Sequence, residues 1–159
     1  MDVFLDSPQD FGNLCLLSRT LEVLRVQRCY VHDPNRLIRP RYGKSRTRQI
    51  KTISAGAFFR VEFKRVEDPE AFLTALTNRK VATVPDQRAT PLPRFTFRLD
   101  DTIVFGSEGR GIRPEVLALC DEPVTIPQRG ATDSLNLAVS VVRRGIFPRG
   151  KCERWQTLV

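Results

Sequence analysis

The sequence has little of what many catalytic and membrane chemistries require. Its 159 residues contain one histidine, one methionine, one tryptophan and two tyrosines. A Ser-His-Asp or Cys-His mechanism would have to use His32, which closes the apolar run CYVHDP, the place of a strand terminus rather than of a general base. The four cysteines (Cys15, Cys29, Cys120, Cys152) show no CxxC spacing, and one histidine makes a poor complement to them, so no metal site is expected. Scattered thiols of this kind read as small buried hydrophobes. No run approaches the ~20 apolar residues of a membrane helix, and Met1 leads almost directly into Val3-Phe4-Leu5, leaving no room for a signal peptide. These absences predict a cytoplasmic chain with no membrane partner. Internal repeats, low-complexity segments and long linkers are also missing. The length predicts one domain over 1–159, able to bury roughly 70% of its unfolded surface.

Positive charge, by contrast, is abundant: 26 Lys and Arg against 18 Asp and Glu give a net charge of +8. Net charge alone serves solubility as readily as it serves an anionic partner. Its distribution is more telling. Arg36, Arg39, Arg41, Lys44, Arg46, Arg48 and Lys51 follow one another with no acidic residue among them. Pro40 and Gly43 interrupt this stretch, so 36–51 is expected to be a basic loop, with Tyr42 as a base-stacking platform and the cations as nucleic-acid phosphate contacts. The stretch has no apolar face to insert into a membrane.

Along the chain, strand-like and helix-like segments alternate. Val3-Phe4-Leu5 reads as a short strand, and leucines at 14, 17, 21 and 24 mark an amphipathic helix. Strands are expected at 29–31, 59–63, 81–84, 102–105 and 124–126. Asp68-Pro69 opens one helix as N-cap and first helical residue, Pro114 opens a short one, and a last helix is expected over 134–142, followed by a tail over 143–159. The proline-rich stretch 85–94 reads as a loop. Such alternation predicts an α/β fold, a mostly parallel sheet with helices on both faces.

The most informative run is Thr102-Ile-Val-Phe105-Gly106-Ser107-Glu108-Gly109-Arg110-Gly111-Ile112. It sets three glycines and a carboxylate at the carboxyl end of a buried strand, where open α/β sheets bind ligands. Its spacing is neither that of a dinucleotide fingerprint nor that of a P-loop. A glycine-rich structural turn accounts for it equally well. Two further segments bear on the choice: PQDFGNLCLLSRT (8–20), which enters the first helix, and IPQRGATDSLNL (126–137), which enters the last.

With FGSEGRGI, these two segments resemble, in order and spacing, the three motifs of the SpoU (TrmH) family of RNA ribose 2′-O-methyltransferases, in the SPOUT superfamily. The resemblance runs from about Phe4 to Val142, and the SAGA segment at 54–57 also looks familial. The stretch from Gly12 to Arg19 is especially similar to members that act on tRNA. The resemblance implies a sheet with a C-terminal trefoil knot, a homodimer, S-adenosyl-L-methionine as cofactor, and RNA as substrate, tRNA ahead of rRNA. It implies that Asn13 and Arg19 position and activate the target ribose, that Glu108 binds Asn13 or a backbone N–H and so holds the geometry, and that Ser134 and Asn136 help form the catalytic centre. By the same resemblance Phe105, Gly106, Ser107, Gly109, Ile126, Ser134 and Leu135 surround the cofactor. Cys15 and Arg25 stand where the family has glycines, and Gln128 where methionine is frequent.

The implied chemistry is attack of a ribose 2′-hydroxyl on a sulfonium methyl, and some group must take the proton. Arg19 either loses a proton in a cation-crowded site or stays charged, as guanidinium groups do, and anchors phosphate while orienting the hydroxyl. A knotted RNA-binding scaffold without catalysis is the alternative from another class.

Overall fold

The computed structural model describes residues 1–26 and 28–128. The knot implied above, the last helix, the tail, Cys152, Ser134, Leu135 and Asn136 lie outside them. Among the described residues seven strands form one sheet: β1 (Asp2–Asp6), β2 (Arg28–His32), β3 (Glu62–Arg65), β4 (Lys80–Thr83), β5 (Thr90–Pro91), β6 (Thr102–Phe105) and β7 (Glu122–Thr125). Their order is β3-β2-β1-β6-β4-β7-β5, and every pairing is parallel. Among the described residues four helices pack on it: α1 (Phe11–Val23), α2 (Lys44–Ser54), α3 (Pro69–Ala75) and α4 (Pro114–Leu117).

The central strands read as unbroken apolar runs because both faces are covered. Side chains alternate across the sheet, so Val3, Leu5, Ile103 and Phe105 join one core with Leu14, Leu17 and Leu21 of α1 and Ile50 of α2. Phe4 and Val104 face the other way, onto Leu73 of α3 and Val116 of α4. Cys15 and Cys29 are buried and Cys120 is half-buried; burial pushes all three thiols up, that of Cys120 to about 11. His32 ends β2, its Nδ1 3.2 Å from the Val66 carbonyl oxygen, a structural place.

Three expectations are corrected. The basic stretch 36–51 is a loop only to Gly43; Lys44–Ser54 is helical. The breakers Pro40 and Gly43 both precede the helix, and buried Ile50 and Ser54 dock it on α1, which outweighs its weak apolar periodicity. The strand expected at 59–63 begins at Glu62, because Ala57–Phe59 form a 3₁₀ turn that buries Ala57 and Phe58. Within 85–94, Thr90–Pro91 pair with β7 as β5 and Leu92–Arg94 make a 3₁₀ turn.

Two chain reversals explain family-like details. After α1, Arg25 adopts a left-handed φ of 57°, and the Val26 N–H donates to the Leu21 carbonyl, so Arg25 occupies the helix-stop position that glycine fills most easily. After α2, Ala55 and Gly56 are both left-handed, with φ of 49° and 78°. The SAGA segment is therefore the stop signal of α2. No helix among the described residues is long and apolar enough to cross a membrane.

Candidate active site

Parallel pairing places the carboxyl ends of β1, β4, β6 and β7 along one rim. Because β6 lies beside β1, with Leu5 opposite Phe105, the loop after β1 and the glycine turn after β6 emerge together. The turn closes on itself. Ser107 and Gly111 exchange backbone hydrogen bonds of 3.0 and 2.9 Å, and Arg110 N–H donates to Ser107 Oγ at 3.3 Å. This closure leaves no space at Gly106, where a Cβ would lie 1.9 Å from the Gly111 carbonyl carbon.

Two polar anchors fix the turn to the β1–α1 connection. Glu108 Oε1 accepts from Asn13 Nδ2 at 2.9 Å, and Oε2 accepts from the Gln9 N–H at 3.0 Å. Asn13 is itself held at the start of α1, where its N–H donates to the N-cap side chain of Asp10 at 2.7 Å. At the far end of the turn, Arg113 donates through its backbone N–H and Nε to the buried carboxylate of Asp6, both at 2.9 Å. Burial works against the Arg113 charge, but the hydrogen bond and charge of Asp6, with Glu70 and Glu115, outweigh it and raise its pKa. A carboxylate as buried as that of Asp6 requires such a partner.

Between this turn and the ends of β4 and β7 lies a cavity of about 1230 Å³, walled by Thr83, Leu92, Phe105, Gly106, Val124 and Ile126 among others. Apolar walls beside a glycine backbone suit a flat heterocycle with a polar tail, so the described residues fit a nucleoside-containing cofactor. No cluster of three His, Cys, Asp or Glu suited to a metal occurs among the described residues.

The structure brings Asn13, Phe105, Gly106, Ser107, Glu108, Gly109 and Ile126 to this rim. Arg19 stands exposed six residues beyond Asn13, about 120° around α1, and does not join the Asn13–Glu108 bridge. Arg36, Arg39, Arg41, Lys44, Arg46 and Arg48 are all exposed. Tyr42 departs from expectation: its hydroxyl accepts from the Arg39 N–H and donates to the Leu37 carbonyl, which makes it a strut inside the loop rather than a free stacking surface. Asp33 fixes the same loop by accepting from the Leu37 and Ile38 N–H groups at 2.9 and 2.8 Å. Glu108 makes both of the contacts expected of it, to Asn13 and to a backbone N–H, that of Gln9. Sequence reasoning missed the Asp6–Arg113 clamp, whose two residues lie 107 positions apart.

Comparison with known proteins agrees with this arrangement. The chain is 31% identical over 100 residues to a 23S rRNA (guanosine-2′-O-)-methyltransferase of Acinetobacter baylyi, 60% of this chain and 40% of that one. It is 32% identical over 146 residues to a tRNA/rRNA methyltransferase of Archaeoglobus fulgidus described as uncharacterized, 91% of this chain and 61% of that one. The chain thus spans 40% and 61% of the lengths of these relatives. Among solved structures, one described as giving insight into 2′-OH methylation of C/U34 on tRNA superposes with a TM-score of 0.71 at 26% identity, covering 88% of both chains. The all-parallel sheet, the closed glycine turn and the Asn13–Glu108 bridge fall within residues 1–142, which match the family model, and the chain belongs to the SpoU rRNA methylase family.

Proposed function

We propose that this chain transfers a methyl group to a ribose 2′-hydroxyl of RNA, with tRNA the favoured substrate, and that it does so as a cytoplasmic homodimer. The observation that carries the reading is the Glu108 bridge, which locks Asn13 of the first motif to the glycine turn of the second beside the cavity. S-adenosylmethionine would be held by that turn and Ile126, with Ser134 and Leu135 from the last motif, and would supply the sulfonium methyl. Glu108 acts as a positioning residue for Asn13, which orients the ribose. Arg19, exposed on α1, holds the phosphate next to the target nucleotide through its guanidinium and orients the 2′-hydroxyl for attack, the C–O bond forming as the C–S bond breaks and the hydroxyl proton passing to water; Ser134 and Asn136 complete the centre. The preference for tRNA is supported by the likeness, across 88% of both chains, to the structure concerned with C/U34 of tRNA.

The test is transfer of labelled methyl from S-adenosylmethionine to separated tRNA and rRNA fractions, followed by mapping of the modified ribose. Label in tRNA at a 2′-oxygen is the expected result, and Arg19→Ala is expected to abolish it. Label in rRNA alone overturns the substrate preference. RNA binding without any transfer makes the chain a scaffold.

A further inference from the structure

The correction of the basic stretch from loop to helix changes which cations act together. Residues 34–61 contain no aspartate or glutamate, although the chain has 18 elsewhere. Within that span, α2 places Lys44, Arg48 and Lys51 at positions i, i+4 and i+7, a single stripe about 10 Å long. All three are exposed. Arg46 lies on another side: its guanidinium stacks 4.4 Å from the Phe11 ring centroid and its Nη1 donates to Gln49 at 2.7 Å.

This stripe is costly for the helix on its own. Like charges three and four residues apart repel, and cations in a first turn oppose the helix dipole. The helix has no compensating device there. Its N-cap is Gly43, with no side-chain cap bond, and no acidic residue occupies its first turn. A solubility surface would mix signs along such a face, as the Lys64–Glu62 and Arg88–Asp86 pairs do elsewhere on this chain. A bound polyanion removes the repulsion and suits the bare helix start. Its position matters too: α2 packs on α1, and Arg46 ties it to Phe11, two residues before Asn13.

We propose that Lys44, Arg48 and Lys51 form a rigid phosphate-tracking ridge on α2 that engages the RNA backbone outside the reaction site and feeds the strand toward the start of α1. This rests on the RNA-modifying reading above and adds to it a defined surface, which includes Lys51 and leaves out Arg46. Such contacts position RNA without reading its sequence.

The experiment compares the 159-residue wild type, a Lys44→Gln/Arg48→Gln/Lys51→Gln variant, and a charge-matched control, Lys64→Gln/Arg94→Gln/Arg98→Gln, at exposed positions outside the cavity wall. Glutamine preserves helix propensity. Binding of a transcribed tRNA pool is followed by fluorescence anisotropy as KCl is raised, with S-adenosylmethionine affinity and thermal unfolding measured alongside. Three lost phosphate contacts predict that the slope of log K against log salt becomes shallower by about 2, at roughly 0.7 per contact on a single strand. The control retains the wild-type slope, both variants keep wild-type cofactor affinity, and the ridge variant, relieved of the repulsion along α2, melts no lower than wild type. A ridge variant with the wild-type slope, or a control equally affected, overturns the ridge while methyl transfer by wild type still supports the functional reading. Wild type that binds no RNA, or that binds anionic phosphatidylserine vesicles instead, overturns both.

Discussion

Replacing Gly106 with alanine places a methyl group where the chain has already folded back. The new Cβ would lie 1.9 Å from the Gly111 carbonyl carbon, 2.0 Å from Ile112 N and 2.3 Å from the Gly111 oxygen. Unbonded carbons rest about 3.5–4.0 Å apart, so the return strand of the turn must retreat by roughly 1.5 Å. All three obstructing atoms are backbone, so no side chain can rotate away. The retreat breaks the paired Ser107–Gly111 hydrogen bonds, each contributing about 0.5–1.5 kcal/mol net. An open turn relieves the clash locally, so most of the loss falls on the ligand site rather than on the core. With about 1–3 kcal/mol lost from that site, S-adenosylmethionine affinity falls roughly 5- to 150-fold. Titration calorimetry reads this directly. Gly43→Ala is the control, because nothing lies within 4 Å of its Cβ and it stands outside the cavity wall, and affinity should stay within about threefold, or under 1 kcal/mol. Wild-type affinity in Gly106→Ala, or equal losses in both variants, refutes the steric reasoning.

Two further tests probe the frame. Arg25 holds a left-handed φ of 57° at the end of α1, so Arg25→Gly is expected to raise stability by about 0.5–1 kcal/mol, once the extra backbone entropy of glycine is subtracted, and to raise the melting temperature by a few degrees; an unchanged or lower value contradicts that account of the helix stop. Asp121 has its pKa lowered below the usual 3.8, first by the Lys80 N–H at 2.6 Å, against the opposing effect of burial, and then by the Lys80 ammonium at 3.1 Å. A depressed carboxylate stabilises the fold above its unfolded value, and that contribution disappears as pH falls through the lower folded value. Asp121→Asn should therefore flatten the loss of stability below about pH 4 relative to wild type, and parallel acid limbs in the two proteins would remove this role.

What was legible in the sequence follows from how local each cause is. β1 and β6 could be read because burial on both faces writes itself as VFL and TIVF. α1 could be read from its leucines, and it starts three residues earlier than they suggest because Asp10 caps it. α2 could not be read from pattern, since only Ile50 and Ile53 mark its apolar side and its stability comes from docking on α1. The same limit applies to the site. FGSEGRGI announces a turn at a strand end, but the 2.9 Å bond between Asn13 and Glu108 joins residues 95 apart, and only the family likeness linked them in advance. Neither Asp6 nor Arg113 carries a local sign of the other.

That clamp bears on how the site works. Strand order alone would bring the β1 loop and the β6 turn to one rim, leaving their relative orientation loose. Glu108 fixes the middle of the turn to Gln9 and Asn13, and Arg113 fixes its end to Asp6, while closure at Gly106 determines its shape. A turn held at two points five residues apart has little freedom left to lose when a ligand arrives. Binding free energy is then not consumed in ordering the loop, and the donors near the reacting atoms stand in place beforehand. Loosening the Glu108 anchor should therefore weaken the reaction without unfolding the sheet, because the apolar core behind the turn does not depend on it, whereas removing Arg113 also strands the buried Asp6 carboxylate and lowers stability.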